Sequence, residues 1–281
     1  MEWTADTLAH GRMSNELLDQ ILTELAAHRD DLVSVEPYLN NEPFMDRRFV
    51  DVLRRVRSFA PSVELSTNAT LMVPETSDVL LDEHLVDDFR ISIFGSNREN
   101  YEGIMQRLSW ESMTENVEYY ARGWLQRGKP NLSRIVYVYN PDIQDPGEFA
   151  LLRSRWQSYG LGFIHWGQLD RVGNVPHPRS QLELRSRRGR VVNCKMGYMR
   201  DRISIHYDGS VYLCCQDWSR SRLIGSLANT SIAGLWASEE RTRNYRQIYG
   251  MEETPTGHLC RDCELATIAD SAARPIGGTP A

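Results

Sequence analysis

Every cysteine of this 281-residue chain falls in its last third: Cys194, Cys214, Cys215, Cys260 and Cys263. Cys260 and Cys263 form Cys-Arg-Asp-Cys, a spacing that lets two thiolates reach one metal centre from a tight turn. Cys214 stands five positions after Gly209 and twenty after Cys194, so both can converge on that centre from neighbouring elements. A four-thiolate site is the economical reading. Four thiolates suit zinc and an iron-sulfur cluster alike, and the residues alone leave both open. Cys214 and Cys215 are adjacent, and neighbours on a strand point to opposite faces, so one is a bystander or a core thiol. The glycine spacing favours Cys214 as the ligand.

Composition sets the frame. With 41% hydrophobic and 25% charged residues the chain reads as an ordinary folded domain of about 200 residues with a small appendage. A formal charge of -6, and no basic run interleaved with aromatics, excludes nucleic acid as an expected partner. No apolar run approaches the roughly 18 residues of a membrane span, and the first residues lack the basic and apolar parts of a signal peptide. The expectation is a cytoplasmic protein with no membrane partner, where a disulfide framework gives way to metal-binding or reactive thiols.

Ahead of the cysteines, helix and strand alternate. Leu17, Leu18, Ile21, Leu22 and Leu25 recur at helical spacing behind Ser14, a fitting N-cap. Further helices are predicted at about 46–56, 112–126 and 148–158, and strands at 33–38, 63–66, 89–94, 135–139 and 161–166. Five strands joined by helical crossovers imply an α/β fold, a parallel sheet curling into an open partial barrel, with ligands at the carboxyl ends of its strands. Past Val175 the pattern changes. A polar, arginine-rich stretch reads as a solvated linker, with the domain boundary near 176–190, and leads to a predicted hairpin of 203–207 and 210–214 turning at Asp208-Gly209. The reading is a barrel domain over 1–180, a cysteine-rich α+β domain over 190–265 and a flexible tail over 266–281.

The run from Cys194 through Gly209-Ser-Val-Tyr-Leu-Cys214, Arg222-Leu-Ile-Gly225 and Ser231-Ile-Ala-Gly-Leu-Trp236 to Cys260-Arg-Asp-Cys263 resembles the C-terminal cluster domain of radical SAM enzymes in the SPASM/twitch group. Asn41-Glu42-Pro43 resembles that superfamily's Gly-Gly-Glu-Pro turn, although Asn40 and Asn41 replace both glycines. Ser66-Thr67-Asn68-Ala69 resembles its Thr-Asn-Gly turn, and Ser92 falls near the expected cofactor ribose. The segment Asp170-Arg171-Val172-Gly173-Asn174 is similar to one that faces cofactor or substrate. Taken singly, each of these turns is an ordinary strand end; their order along the chain carries the resemblance.

The resemblance implies one auxiliary 4Fe-4S cluster, the twitch form, on Cys194, Cys214, Cys260 and Cys263. It also implies S-adenosylmethionine at Asn41, Glu42, Pro43, Thr67, Asn68 and Ser92. The implied activity is use of S-adenosylmethionine to make a 5'-deoxyadenosyl radical that oxidises or modifies a small molecule or a peptide, with an electron-donor protein as partner. The superfamily's CxxxCxxC motif has no counterpart here, since no cysteine precedes Cys194. The first strand and the cluster loop are therefore expected to be absent, either because the start was assigned too late or because the protein is degenerate. As written it should not cleave S-adenosylmethionine. The alternative is a non-catalytic metal-binding partner or scaffold, holding iron-sulfur or zinc on the four thiols. Asp217 and Arg261 flank the ligand candidates and are expected to support them. His206 and His258 read as ordinary strand and loop histidines, Trp218 and Trp236 as packing, and no side chain stands out as a catalytic acid or base.

Overall fold

The computed structural model describes residues 8–139, 146–167, 169, 171–172 and 189–269. The chain divides into two compact units, 25–168 and a second made of 1–24 with 169–281. The second unit is thus discontinuous in sequence, which corrects the expected 1–180 domain: the first helix contributes to the cysteine-rich unit.

In the unit 25–168, four strands, β1 (Glu64–Thr67), β2 (Asp88–Ile93), β3 (Leu132–Tyr139) and β4 (Gly162–Gly167), form a parallel sheet in that order. The expected fifth strand at 33–38 shrinks to a single parallel bridge, Val35 to Val63. Pro37 has no N–H to give a ladder, and Val33 is solvent-exposed, so nothing extends the pairing. Helices α2 (Phe49–Arg57), α5 (Trp110–Gln126) and α6 (Pro146–Ser158) lie where hydrophobic spacing placed them. Two more, α3 (Pro74–Asp82) and α4 (Arg98–Met105), were not expected. Their signals were local: Pro74 opens the first turn of α3, and the Asn97 side chain caps α4 by accepting from the Asn100 N–H.

Alternation along the strands gives the sheet two unlike faces. Leu65, Phe89, Ile91, Ile135 and Tyr137 are fully buried on one, where Tyr120 of α5 hydrogen-bonds Ser133 at 2.8 Å and packs 4.7 Å from the Phe89 ring. The opposite face carries a cluster of charged and polar side chains beside Val136 and Trp166. Arg90 binds Glu64 at 2.6 Å and Asp88 at 2.7 Å, Arg134 also binds Asp88, and the Tyr38 hydroxyl donates to Glu64 at 2.8 Å. Further along, Ser66 and Ser92 share a hydrogen bond of 3.1 Å.

In the other unit α1 (Asn15–Ala27) begins as expected at Ser14, whose Oγ accepts the Leu17 N–H at 3.1 Å. Its Gln20 donates to the Leu227 carbonyl, and Glu24 accepts the Ile232 N–H at 2.6 Å. The hairpin at Asp208-Gly209 is present but shorter than expected, with β6 (Ser204–Ile205) and β7 (Ser210–Tyr212) turning through Gly209 at a φ of +82°. A third strand, β8 (Leu223–Ser226), extends it. Strand β5 (Arg190–Cys194) pairs antiparallel with β9 (Ala266–Ala269), so residues 266–269, expected in the tail, are an ordered part of this unit. Short helices α7 (Tyr198–Asp201) and α8 (Ile232–Trp236) and the longer α9 (Glu239–Ile248) complete it. The linker arginines over 176–188, Asp170, Gly173, Asn174 and the chain beyond 269 lie outside the described residues. No helix among the described residues is long and apolar enough to cross a membrane.

His206, almost fully buried, packs edge-on at 5.0 Å against Tyr212. Burial, with Arg220 nearby, pushes its pKa below the ordinary histidine value. A histidine kept neutral by folding contributes stability that is complete above its unfolded pKa of about 6.5 and is lost as the pH falls toward its folded pKa. Thermal unfolding should therefore show a melting temperature that declines below about pH 6.5, with a shallower decline in His206→Phe.

Candidate metal centre and polar strand-end site

The cysteines lie near one another. Cys260 is buried and Cys214 half-buried, and the pKa of each thiol is pushed well up, first by desolvation and then by neighbouring thiol charge. For Cys214 the neighbours are Cys215, Cys263 and Cys194; for Cys260 they are Cys214, Cys263 and Cys194. None of the five cysteines is in a disulfide. Among the described residues no three Cys, His, Asp or Glu side chains are drawn tightly enough together to hold a single metal ion. What the structure shows is a looser group of thiols, each raising the cost of ionising its neighbours. Such a group suits a positive centre that would favour the thiolates and offset their repulsion.

Cys214 and Cys215 lie past the end of β7, in a turn, and not on a strand as expected. They still part company. Cys215 faces Arg171, the Tyr198 hydroxyl and Arg202, and the Gln216 amide stands 3.8 Å from its sulfur. Arg171 is stacked 4.9 Å over the Trp218 ring. The same turn is anchored by Asp217, which accepts from the Ser221 N–H at 2.9 Å and the Arg222 N–H at 2.8 Å.

Cys260 sits in a short 3-10 turn, Leu259–Arg261, capped by His258. His258 Nδ1 accepts the Cys260 N–H at 3.2 Å, so the ring proton is on Nε2 and is given to Asn244 Oδ1 at 3.1 Å. Burial lowers the His258 pKa to about 4, consistent with a neutral ring. Asn244, with no exposed surface, also accepts from Arg222 at 3.1 Å and donates to the Glu240 carbonyl at 2.7 Å. Arg261 donates to the carbonyls of Thr254, Pro255 and Gly189. Asp217 and Arg261 thus hold the loops that carry the thiols. His258 is a positioning group that the sequence reading passed over; its place two residues before Cys260 was the available signal.

In the unit 25–168 the other predicted residues separate into those that meet and those that do not. Glu42 accepts from Thr67 Oγ1 at 2.6 Å, the Asn68 N–H at 2.8 Å and the Phe44 N–H at 3.3 Å, while Pro43 opens the 3-10 turn Pro43–Met45. Burial raises the Glu42 pKa against the pull of those three bonds. Ala69, where the family turn carries glycine, takes a φ of +62°. Asn41 is turned to its own loop, accepting from the Leu39 N–H, and Ser92 pairs with Ser66.

Residues 189–264 match the SPASM family, an iron-sulfur cluster-binding domain. That match covers the cysteine-rich segment alone, and the rest of the chain is matched only in fold, by solved structures of low identity. It is similar to BtrN, solved in complex with AdoMet and 2-DOIA, at 12% identity and a TM-score of 0.54, over 94% of this chain and 84% of that one. Native anSMEcpe with bound AdoMet matches at 14% identity and a TM-score of 0.58, over 92% and 79%. Streptococcus suis SuiB bound to precursor peptide SuiA matches at 14% identity and a TM-score of 0.65, over 94% and 66%. A comparison with curated proteins finds no match in sequence.

Proposed function

We propose that this protein is a radical SAM/SPASM-type iron-sulfur protein that holds one auxiliary 4Fe-4S cluster on Cys194, Cys214, Cys260 and Cys263. The observation that carries the reading is the convergence of those four thiols inside the segment that matches the SPASM family. A cluster bound there supplies one-electron chemistry, at a potential set by burial and by hydrogen bonds to its sulfurs. Cys215 is a fifth thiol outside the ligand set. The His258 cap fixes the backbone of Cys260, and Asp217 fixes the turn after Cys214, so both thiols are placed before any metal arrives.

S-adenosylmethionine is the proposed ligand at the strand ends. Glu42 has three protein donors on its two oxygens, which leaves it an acceptor position for the ligand's amine. Ser66 and Ser92 supply hydroxyls on the polar face of the sheet. A small-molecule substrate has support from BtrN with 2-DOIA and a peptide substrate from SuiB with its precursor peptide. Five cysteines outside any disulfide suit a reducing, cytoplasmic setting, with an electron-donor protein as partner.

The test is anaerobic reconstitution followed by iron, sulfide and zinc quantification with a visible absorption spectrum. About four irons and four sulfides per chain, with charge-transfer absorption in the visible, is the expected result. Zinc without iron overturns the redox reading.

A further inference from the structure

We propose that Asn116 is a positioning residue of the strand-end site: from α5 it clamps the turn after β1 in a left-handed conformation, and so fixes the donors that hold Glu42. The inference rests on the reading of these strand ends as an S-adenosylmethionine site, and its own grounds are hydrogen bonds within the unit 25–168. The turn contains Ala69 at a φ of +62°. A Cβ crowds the backbone there, which is why the region is left mostly to glycine. Among the described non-glycine residues with a left-handed φ, Ala69 is the one that is buried; the others are exposed or half-buried. Water cannot support so enclosed a turn, and the protein itself must hold it.

Asn116 does so from outside the turn. Its Nδ2 donates to the Ala69 carbonyl at 2.9 Å and to the Thr70 carbonyl at 3.2 Å, one amide hydrogen for each of two successive peptides. The helix that carries it is firmly seated, since Met113, Val117 and Tyr120 on either side have no exposed surface. The turn's other bonds are local. Thr67 Oγ1 accepts the Ala69 N–H at 3.0 Å, Asn68 Oδ1 accepts the Thr70 N–H at 3.0 Å and the Thr70 hydroxyl at 2.6 Å, and the Met72 N–H reaches the Ala69 carbonyl at 3.2 Å. The same Thr67 hydroxyl donates to Glu42 at 2.6 Å, and the Asn68 N–H donates to it at 2.8 Å. A turn that relaxed out of the left-handed region would carry both donors away together, leaving Glu42 only the Phe44 N–H. The carboxylate would then lose the orientation that presents it to a ligand.

The experiment is a double-mutant cycle of Asn116→Ala and Ala69→Gly on anaerobically reconstituted protein. Glycine takes the left-handed conformation without strain, so Ala69→Gly should make the clamp dispensable. In calorimetric titration with S-adenosylmethionine, Asn116→Ala should bind about fivefold more weakly than the parent, and the double variant within about twofold of Ala69→Gly alone. Asn116→Asp, which keeps the size of the side chain but turns oxygens toward the two carbonyls, should weaken binding at least as much as Asn116→Ala. Thermal unfolding without ligand should repeat the pattern, with Asn116→Ala lowering the melting temperature of the parent and much less that of Ala69→Gly. A loss that Ala69→Gly does not rescue, or parent-like binding by Asn116→Asp, overturns the clamp, because the side chain then acts by packing. Unchanged affinity in Asn116→Ala removes Asn116 alone and leaves the S-adenosylmethionine reading standing. No binding by the parent overturns that reading and the positioning role with it.

Discussion

Cys260→Ala is expected to strip the reconstituted protein of iron, from about four atoms per chain to near zero, and to bleach its visible absorption. Cys260 is the most deeply set of the converging thiols, and its backbone is held by the His258 cap, so no neighbouring side chain can move into its place. Because metal binding free energy at a structural site is also folding free energy, the same change should lower the melting temperature of the 189–269 region. Cys215→Ala is the control. That thiol faces Arg171 and Tyr198, and its removal should leave iron content unchanged. Iron and sulfide quantification on the two variants side by side checks both statements, and loss of iron from Cys215→Ala would remove the distinction between the adjacent cysteines.

Asn244→Leu should cost about 3 kcal/mol in chemical denaturation and release iron to a chelator several-fold faster than the parent. The substitution removes the acceptor shared by Arg222 and His258. The buried His258 donor then goes unsatisfied, while Arg222 keeps its ion pair with Glu240. The stability loss alone would fit any buried asparagine. Faster iron release is the specific result, because the path from α9 to the metal runs through Asn244, the His258 ring and the Cys260 N–H. Unchanged release with lowered stability would confine Asn244 to packing.

How much of this was legible beforehand depends on the range of the interactions. The amphipathic stripe of α1, the alternating strands and the Asp208-Gly209 turn are local patterns, and the structure carries each of them. Cys194, Cys214, Cys260 and Cys263 were legible as candidates from spacing and resemblance, and neighbouring thiols raise the Cys214 and Cys260 pKa. The strand at 33–38 failed because a β-branched run predicts pairing only where a neighbour and its N–H groups permit it, and Pro37 removes one. β5 and β9 were missed for the opposite reason. Each takes its pairing from a partner more than 70 residues away, which no local window can see. Asn244 belongs to the same class: its role comes from what touches it, not from what adjoins it in sequence.

The engagement of α1 with the far end of the chain bears on how the protein is made. Gln20 and Glu24 find their partners at Leu227 and Ile232, more than 200 residues later. During synthesis the apolar stripe of that helix must wait for more than 200 further residues to leave the ribosome, a non-local closure of the kind that slows folding and leaves sticky surface uncovered meanwhile. The strands of 25–168 can pair as they emerge, each next to the last. The thiol-bearing unit cannot, so its assembly waits until all of 25–168 has been made.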